Sequence, residues 1–279
     1  MRASLGGTIG DMTRDQVLIS ATELEHQCDE GRPPTILDVR WELTQPDGRA
    51  AYESGHIPGA VYVSLEDELS DHTVTGRGRH PLPSGRDLEA AARRWGVRRG
   101  VPVVVYDDWN RAASARAWWV LTAAGIPGVR ILDGGLAAWR GPIETGSVTA
   151  QPGDITVEYD DLYAGALPTL TADQVTAGDV TLLDARAPER FRGDVEPIDP
   201  VAGHIPGARN VPSTNLLDAD GRFVAEVPEV TGVVGAYCGS GVTASVVVAA
   251  LATAGIDAAL YPGSWSEWCS DSTRPVERG

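Results

Sequence analysis

Short apolar runs bounded by turn residues alternate along this chain with stretches of helical periodicity, the pattern of an α/β fold in which a mostly parallel sheet is flanked by helices. Val101-Pro-Val-Val-Val-Tyr106 and Val233-Val-Gly-Ala-Tyr237 read as buried central strands. Residues 112–124 and 242–254 read as helices, each ended by a glycine that suits a C-cap. Residues 84–95 read as a further helix, opened by Ser84 and carrying arginines in its last turn.

The pattern occurs twice. Ile36-Leu-Asp-Val-Arg40 returns as Leu182-Leu-Asp-Ala-Arg186, and Gly55-His-Ile-Pro-Gly-Ala60 returns as Gly203-His-Ile-Pro-Gly-Ala208. Ala124-Gly-Ile126 and the stretch 134–139 return as Ala254-Gly-Ile256 and 263–268 in the same order. The spacing between copies shrinks by roughly 18 residues after the second His-Ile-Pro-Gly-Ala, so the second copy lacks the helix of residues 84–95. Two domains follow, at 14–145 and 165–279, joined by a Gly-, Pro- and Asp-rich linker at 146–164.

Composition narrows the function. A net charge of −16 and a sequence pI near 4.6 argue against nucleic acid or an anionic membrane as partner. Three cysteines, Cys28, Cys238 and Cys269, are odd in number and lack metal-ligand spacing, which suggests neither a disulfide framework nor a metal site. With no signal-like N-terminus and no apolar run of about 18 residues, a cytoplasmic protein is expected.

One cysteine stands apart. Cys238 falls between an apolar strand and an apolar helix, at the carboxyl end of a strand where open parallel sheets bind ligands. Gly239 and Gly241 let the loop Gly239-Ser240-Gly241-Val242-Thr243 turn its N–H groups inward, forming an anion cradle at a helix N-terminus. Cysteines so placed titrate at about 3.5–7.5 instead of about 8.5, which makes a nucleophile at neutral pH.

Cys238-Gly-Ser-Gly-Val-Thr-Ala244 resembles the active-site loop of the rhodanese sulfurtransferases, in the form found in 3-mercaptopyruvate sulfurtransferases, and the tandem repeat extends the resemblance over nearly the whole chain. It implies two rhodanese-like domains, the first inactive because Asp107 stands opposite Cys238. It also implies a Cys238 persulfide that takes sulfur from a small anionic donor, 3-mercaptopyruvate or thiosulfate. A thiol, thioredoxin or cyanide then accepts the sulfur, and no metal or organic cofactor is implied.

The family's proton relay carries over as Ser240, His56 and an upstream acid, with Asp47 the nearest one. Arg190 matches the family's donor-binding arginine. Arg186 is a second candidate, although it repeats Arg40 of the inactive copy and so also fits a buried ion pair. The chain departs from the pattern at Glu196-Pro-Ile-Asp199, where mercaptopyruvate sulfurtransferases carry another arginine. His204, in the repeated motif, is read as serving the fold, Cys28 as inert, and Cys269 as passive rather than resolving. A non-enzymatic persulfide carrier is the alternative reading. A cysteine phosphatase or arsenate reductase is disfavoured because the loop ends without arginine.

Overall fold

The computed structural model describes residues 12–279. The first domain carries β1 (Leu18–Ile19), β2 (Thr35–Asp38), β3 (Val61–Tyr62), β4 (Val103–Tyr106) and β5 (Val129–Leu132), in the spatial order β1-β5-β4-β2-β3. The second carries β6 (Thr181–Asp184), β7 (Arg209–Asn210), β8 (Val234–Tyr237) and β9 (Ala259–Leu260), in the order β7-β6-β8-β9. Every pairing is parallel, and Thr169 bridges Leu260 in the place that β1 takes beside β5. The central strands β4 and β8 are buried throughout, which is why they read as apolar runs. Helix Gly85–Arg94 has no counterpart in the second domain, whose residues 217–233 hold no helix.

The repeated motifs lock each sheet in the same way. Asp38 and Asp184 end β2 and β6, and each takes the fork of an arginine two residues on, Arg40 or Arg186. Each arginine then donates to the carbonyl ahead of the His-Ile-Pro-Gly-Ala turn, Gly55 O at 2.5 Å or Gly203 O at 2.8 Å. Tyr106 and Tyr237, at the ends of β4 and β8, accept from the turn's Ile57 and Ile205 N–H. His56 bonds Tyr52 O and stacks on Tyr52, while His204 bonds Phe191 O and stacks on Phe191. These buried groups hold the turn against the sheet, His56 through Nδ1 alone, since its Nε2 has no hydrogen-bond partner.

The domains dock through helices Ala112–Ala123 and Ala244–Thr253, both rich in small residues that allow close approach. Their side chains join one apolar core that runs across the interface. Helix Arg14–Val17 also packs on Ala244–Thr253, and Arg14 donates to Phe223 O of the second domain at 2.6 Å. Residues 146–164 form a strap fixed along the first domain, with Ile155 buried and Glu158 N–H bonded to Ala124 O. No described helix is long and apolar enough to cross a membrane. Groups from the first domain are thereby fixed in place beside the second.

Candidate active site

Cys238 follows β8 directly and is 2% exposed. The Gly241 N–H donates to its Sγ at 3.2 Å. Gly241 has φ +81°, and a Cβ there would lie 2.4 Å from Pro262 O, so only glycine allows the loop to close on the sulfur. The turn after β9 braces the loop from the other side. Trp265 N–H bonds Cys238 O, and Ser266 N–H bonds Gly239 O. Ser264 holds the left-handed φ of +52°, and its hydroxyl accepts from Cys238 N–H while donating to Tyr261 O. That strain is held where it fixes the nucleophile. Val242 points into the core, and Thr243 caps helix Ala244–Thr253 through its backbone.

Ser240 meets a histidine that the sequence reading did not single out. Its Oγ lies 2.8 Å from His80 Nδ1, and His80 Nε2 lies 3.1 Å from Glu66 Oε1. Glu66 also accepts from Trp41 Nε1 and meets His72 Nε2 at 2.8 Å. The hydrogen bond from His80 and these other donors hold its carboxyl down at about 2, against the opposing effect of burial. An ionised Glu66 can only accept, so His80 Nε2 carries the proton and Nδ1 receives the Ser240 hydroxyl proton. Burial lowers the His80 pKa, with Glu66 opposing, which favours the neutral ring.

His56 and Asp47 do not join Ser240. The His56 ring is wholly buried between Tyr52 and the Glu144 bridge, the role His204 repeats in the second domain. Asp47 caps its own turn, accepting from Arg49 N–H and the Tyr62 hydroxyl. The reading placed the relay on the repeated histidine; the structure places Ser240 against an unrepeated one.

A fully buried arginine backs the loop. Arg116 Nη2 donates to Leu69 O and His80 O, and Nη1 lies 3.5 Å from Gly241 O. Burial lowers its pKa to about 10, with attraction to Tyr163 and Cys238 opposing, so it stays cationic at neutral pH. Arg190 stands over the loop, paired with Glu196 at 2.7 Å. Arg186 does not: its fork is committed to Asp184 and Gly203 O and lies against Trp265, so it is a structural cation and not free to bind a donor. Burial pushes the Cys269 thiol up to about 11, with Asp199 and Glu196 adding to the effect, and burial also raises Cys28.

The model of the rhodanese-like domain matches residues 20–141 and again 167–271. The chain belongs to the rhodanese family. It is 66% identical over 95% of its length to SseB of Mycobacterium tuberculosis, a protein provisionally named as a thiosulfate sulfurtransferase, of which the match covers 98%. It is 36% identical over 87% of its length to the 3-mercaptopyruvate sulfurtransferase of Escherichia coli strain K12, covering 91% of that protein. The crystal structure of Escherichia coli SseA superposes with a TM-score of 0.76 at 31% identity, over 89% of this chain and 98% of that one.

The first rhodanese domain shows what the loop becomes without its thiol. Asp107 stands at the end of β4 and turns its carboxylate into its own loop. It accepts from Trp109 N–H, Arg111 N–H, Ser114 N–H and the Ser114 hydroxyl, and pairs with Arg111 at 2.9 Å. This loop has no glycine, and its N–H groups turn onto its own anion.

His80, Glu66 and Arg116 were missed because all lie in the first domain, outside the repeated motifs and far in sequence from Cys238. A histidine outside the repeat, in Thr75-Gly-Arg-Gly-Arg-His80, was the available signal. Residues outside the shared motifs need not serve the fold that both copies share.

Proposed function

We propose that this rhodanese is a sulfurtransferase that carries sulfane sulfur on Cys238, with 3-mercaptopyruvate as the preferred donor. The hydrogen-bonded series Ser240–His80–Glu66 beside Cys238 carries this preference. The Cys238 thiolate attacks the donor sulfur, the carbon–sulfur bond breaks, and its electron pair leaves on the enolate of pyruvate. The new sulfur–sulfur bond leaves a persulfide, and the donor's thiol proton must reach the enolate. Ser240 can accept that proton as it passes its own to His80, whose cation Glu66 stabilises, and then return one to the enolate. Thiosulfate needs no such transfer: sulfite departs with its electron pair, and charge balances without a proton.

Gly241 N–H, the following helix and the buried Arg116 favour negative charge at the sulfur in both the thiolate and the persulfide. A small thiol or thioredoxin completes the cycle by attacking the outer sulfur, and a reducing compartment such as the cytoplasm suits three unpaired thiols. The test is steady-state turnover with each donor, following pyruvate or sulfite. A higher kcat/KM for 3-mercaptopyruvate supports the reading, while a higher value for thiosulfate, with Ser240→Ala silent on both, defeats the donor choice. Absence of turnover with either favours a passive persulfide carrier.

A further inference from the structure

Glu66 serves two histidines. His72 Nε2 lies 2.8 Å from Glu66 Oε2, while His80 Nε2 lies 3.1 Å from Oε1, so two imidazoles share one carboxylate, one on each oxygen. Their ring centroids are 5.8 Å apart. Exposure separates them: the His80 side chain is 6% exposed and that of His72 is 49%. The buried series Ser240–His80–Glu66 therefore ends at an imidazole open to solvent.

The groups around the two rings decide what His72 can do. Glu66, on helix Leu65–Glu68, takes Trp41 Nε1 as well as His80 on Oε1 and takes His72 on Oε2. An ionised carboxylate only accepts, so His72 donates through Nε2, and no described residue bonds its Nδ1. Asp71 also faces His72; its carboxyl is held below the ordinary range chiefly by Thr73, with His72 adding to the effect. Burial lowers the His80 pKa most, Glu66 opposes, and Arg116 and His72 lower it further. Neutral or protonated, His72 donates to Glu66 and keeps its carboxylate turned toward His80. Protonated, it also sets a positive charge 5.8 Å from the ring that becomes a cation on taking the Ser240 hydroxyl proton. At that separation two unit charges weaken proton affinity roughly 3-fold in a medium like water and roughly 100-fold at an effective dielectric of about 20.

Resting on the sulfur-transfer reading above, we propose that His72 is a positioning residue of the relay whose charge also tunes it. Through Nε2 it holds Glu66 toward His80, and on taking a proton from solvent at Nδ1 it makes His80 a weaker base and slows sulfur transfer from 3-mercaptopyruvate. Histidine changes charge near neutral pH, so the relay follows the pH of the surrounding solution although its own members are buried. Thiosulfate, whose sulfur moves without a proton, escapes this control.

The test is the ratio of kcat with 3-mercaptopyruvate to kcat with thiosulfate, measured with a common acceptor between about pH 8 and about pH 6, where histidine titrates. The ratio cancels proton effects common to both donors. It should fall several-fold toward the acid end in the parent and stay level in His72→Gln, whose amide keeps an N–H donor and cannot take a charge. His72→Ala loses the donor as well, so at about pH 8 its ratio should lie several-fold below the parent's, with His72→Gln recovering most of the loss. Nitrogen-15 NMR of the imidazoles gives a readout independent of turnover: His72→Gln should raise the proton affinity of His80 by roughly 3- to 100-fold.

Equal ratios in the parent and His72→Ala at about pH 8 would show that Glu66 does not need His72 and would overturn the positioning role. The same acid fall in His72→Gln as in the parent would overturn the effect of charge. If the parent turns over neither donor, the sulfur-transfer reading fails, and the NMR titration decides the coupling of the two rings separately: a raised His80 proton affinity in His72→Gln upholds it, and an unchanged one overturns it.

Discussion

Replacing His80 with alanine separates two roles that the geometry joins in one side chain. The variant loses the Ser240 Oγ contact of 2.8 Å and the Glu66 Oε1 contact of 3.1 Å. The first is worth about 0.5–1.5 kcal/mol and the second, to an ionised carboxylate, about 1.5–3 kcal/mol. Glu66 keeps Trp41 and His72, so a net destabilisation of about 2–4 kcal/mol is expected. The kinetic effect should depend on the donor. Positioned proton transfer contributes about 10²–10⁴-fold, and only mercaptopyruvate requires it. The ratio of kcat with 3-mercaptopyruvate to kcat with thiosulfate should therefore fall by roughly 100-fold or more, measured per folded molecule with a common acceptor. His56→Ala should destabilise the first domain, because it removes the stack on Tyr52 and the bond to Tyr52 O, and leave the ratio alone. An equal loss with both donors in His80→Ala, or a changed ratio in His56→Ala, would refute the relay.

Asp107→Asn breaks a buried ion pair and disturbs four hydrogen bonds, so it should cost about 3–5 kcal/mol in chemical denaturation while leaving turnover per folded molecule intact. A large fall in turnover with unchanged stability would give the first domain a catalytic part. Glu66 predicts a pH signature. Its carboxyl is held at about 2 in the folded protein, below its ordinary 4.5, so its contribution to stability is complete above 4.5 and is lost as pH falls through about 2. The stability difference between the parent and Glu66→Gln should shrink over that window, and a difference independent of pH would contradict the assignment.

Much of the fold could be read because the chain states it twice. The apolar runs that became β4 and β8, the helices that dock the domains, and the Asp-x-Arg and His-Ile-Pro-Gly-Ala locks all recur at matching places. Cys238 was legible for a local reason: strand, glycine loop and helix adjoin in sequence, so the cradle is built from consecutive residues. The relay was not. His80, Glu66 and Arg116 are brought to the Cys238 loop only through the docking of two helices more than a hundred residues apart. Periodicity within one element does not encode that contact. Repetition also misdirected the choice of histidine, since a motif used in both domains must satisfy the domain that has no thiol.

The central claim is that Cys238 carries the transferred sulfur, and mass spectrometry of the intact and digested protein tests it most directly. After brief incubation with 3-mercaptopyruvate and removal of the donor, one added sulfur should be found on the Cys238 peptide. None should appear on the peptides of Cys28 or Cys269, the thiols whose pKa burial raises. A following dose of cyanide should remove that sulfur as thiocyanate, and Cys238→Ser should neither gain sulfur nor turn over. Sulfur on another cysteine, or undiminished turnover in Cys238→Ser, would contradict the account.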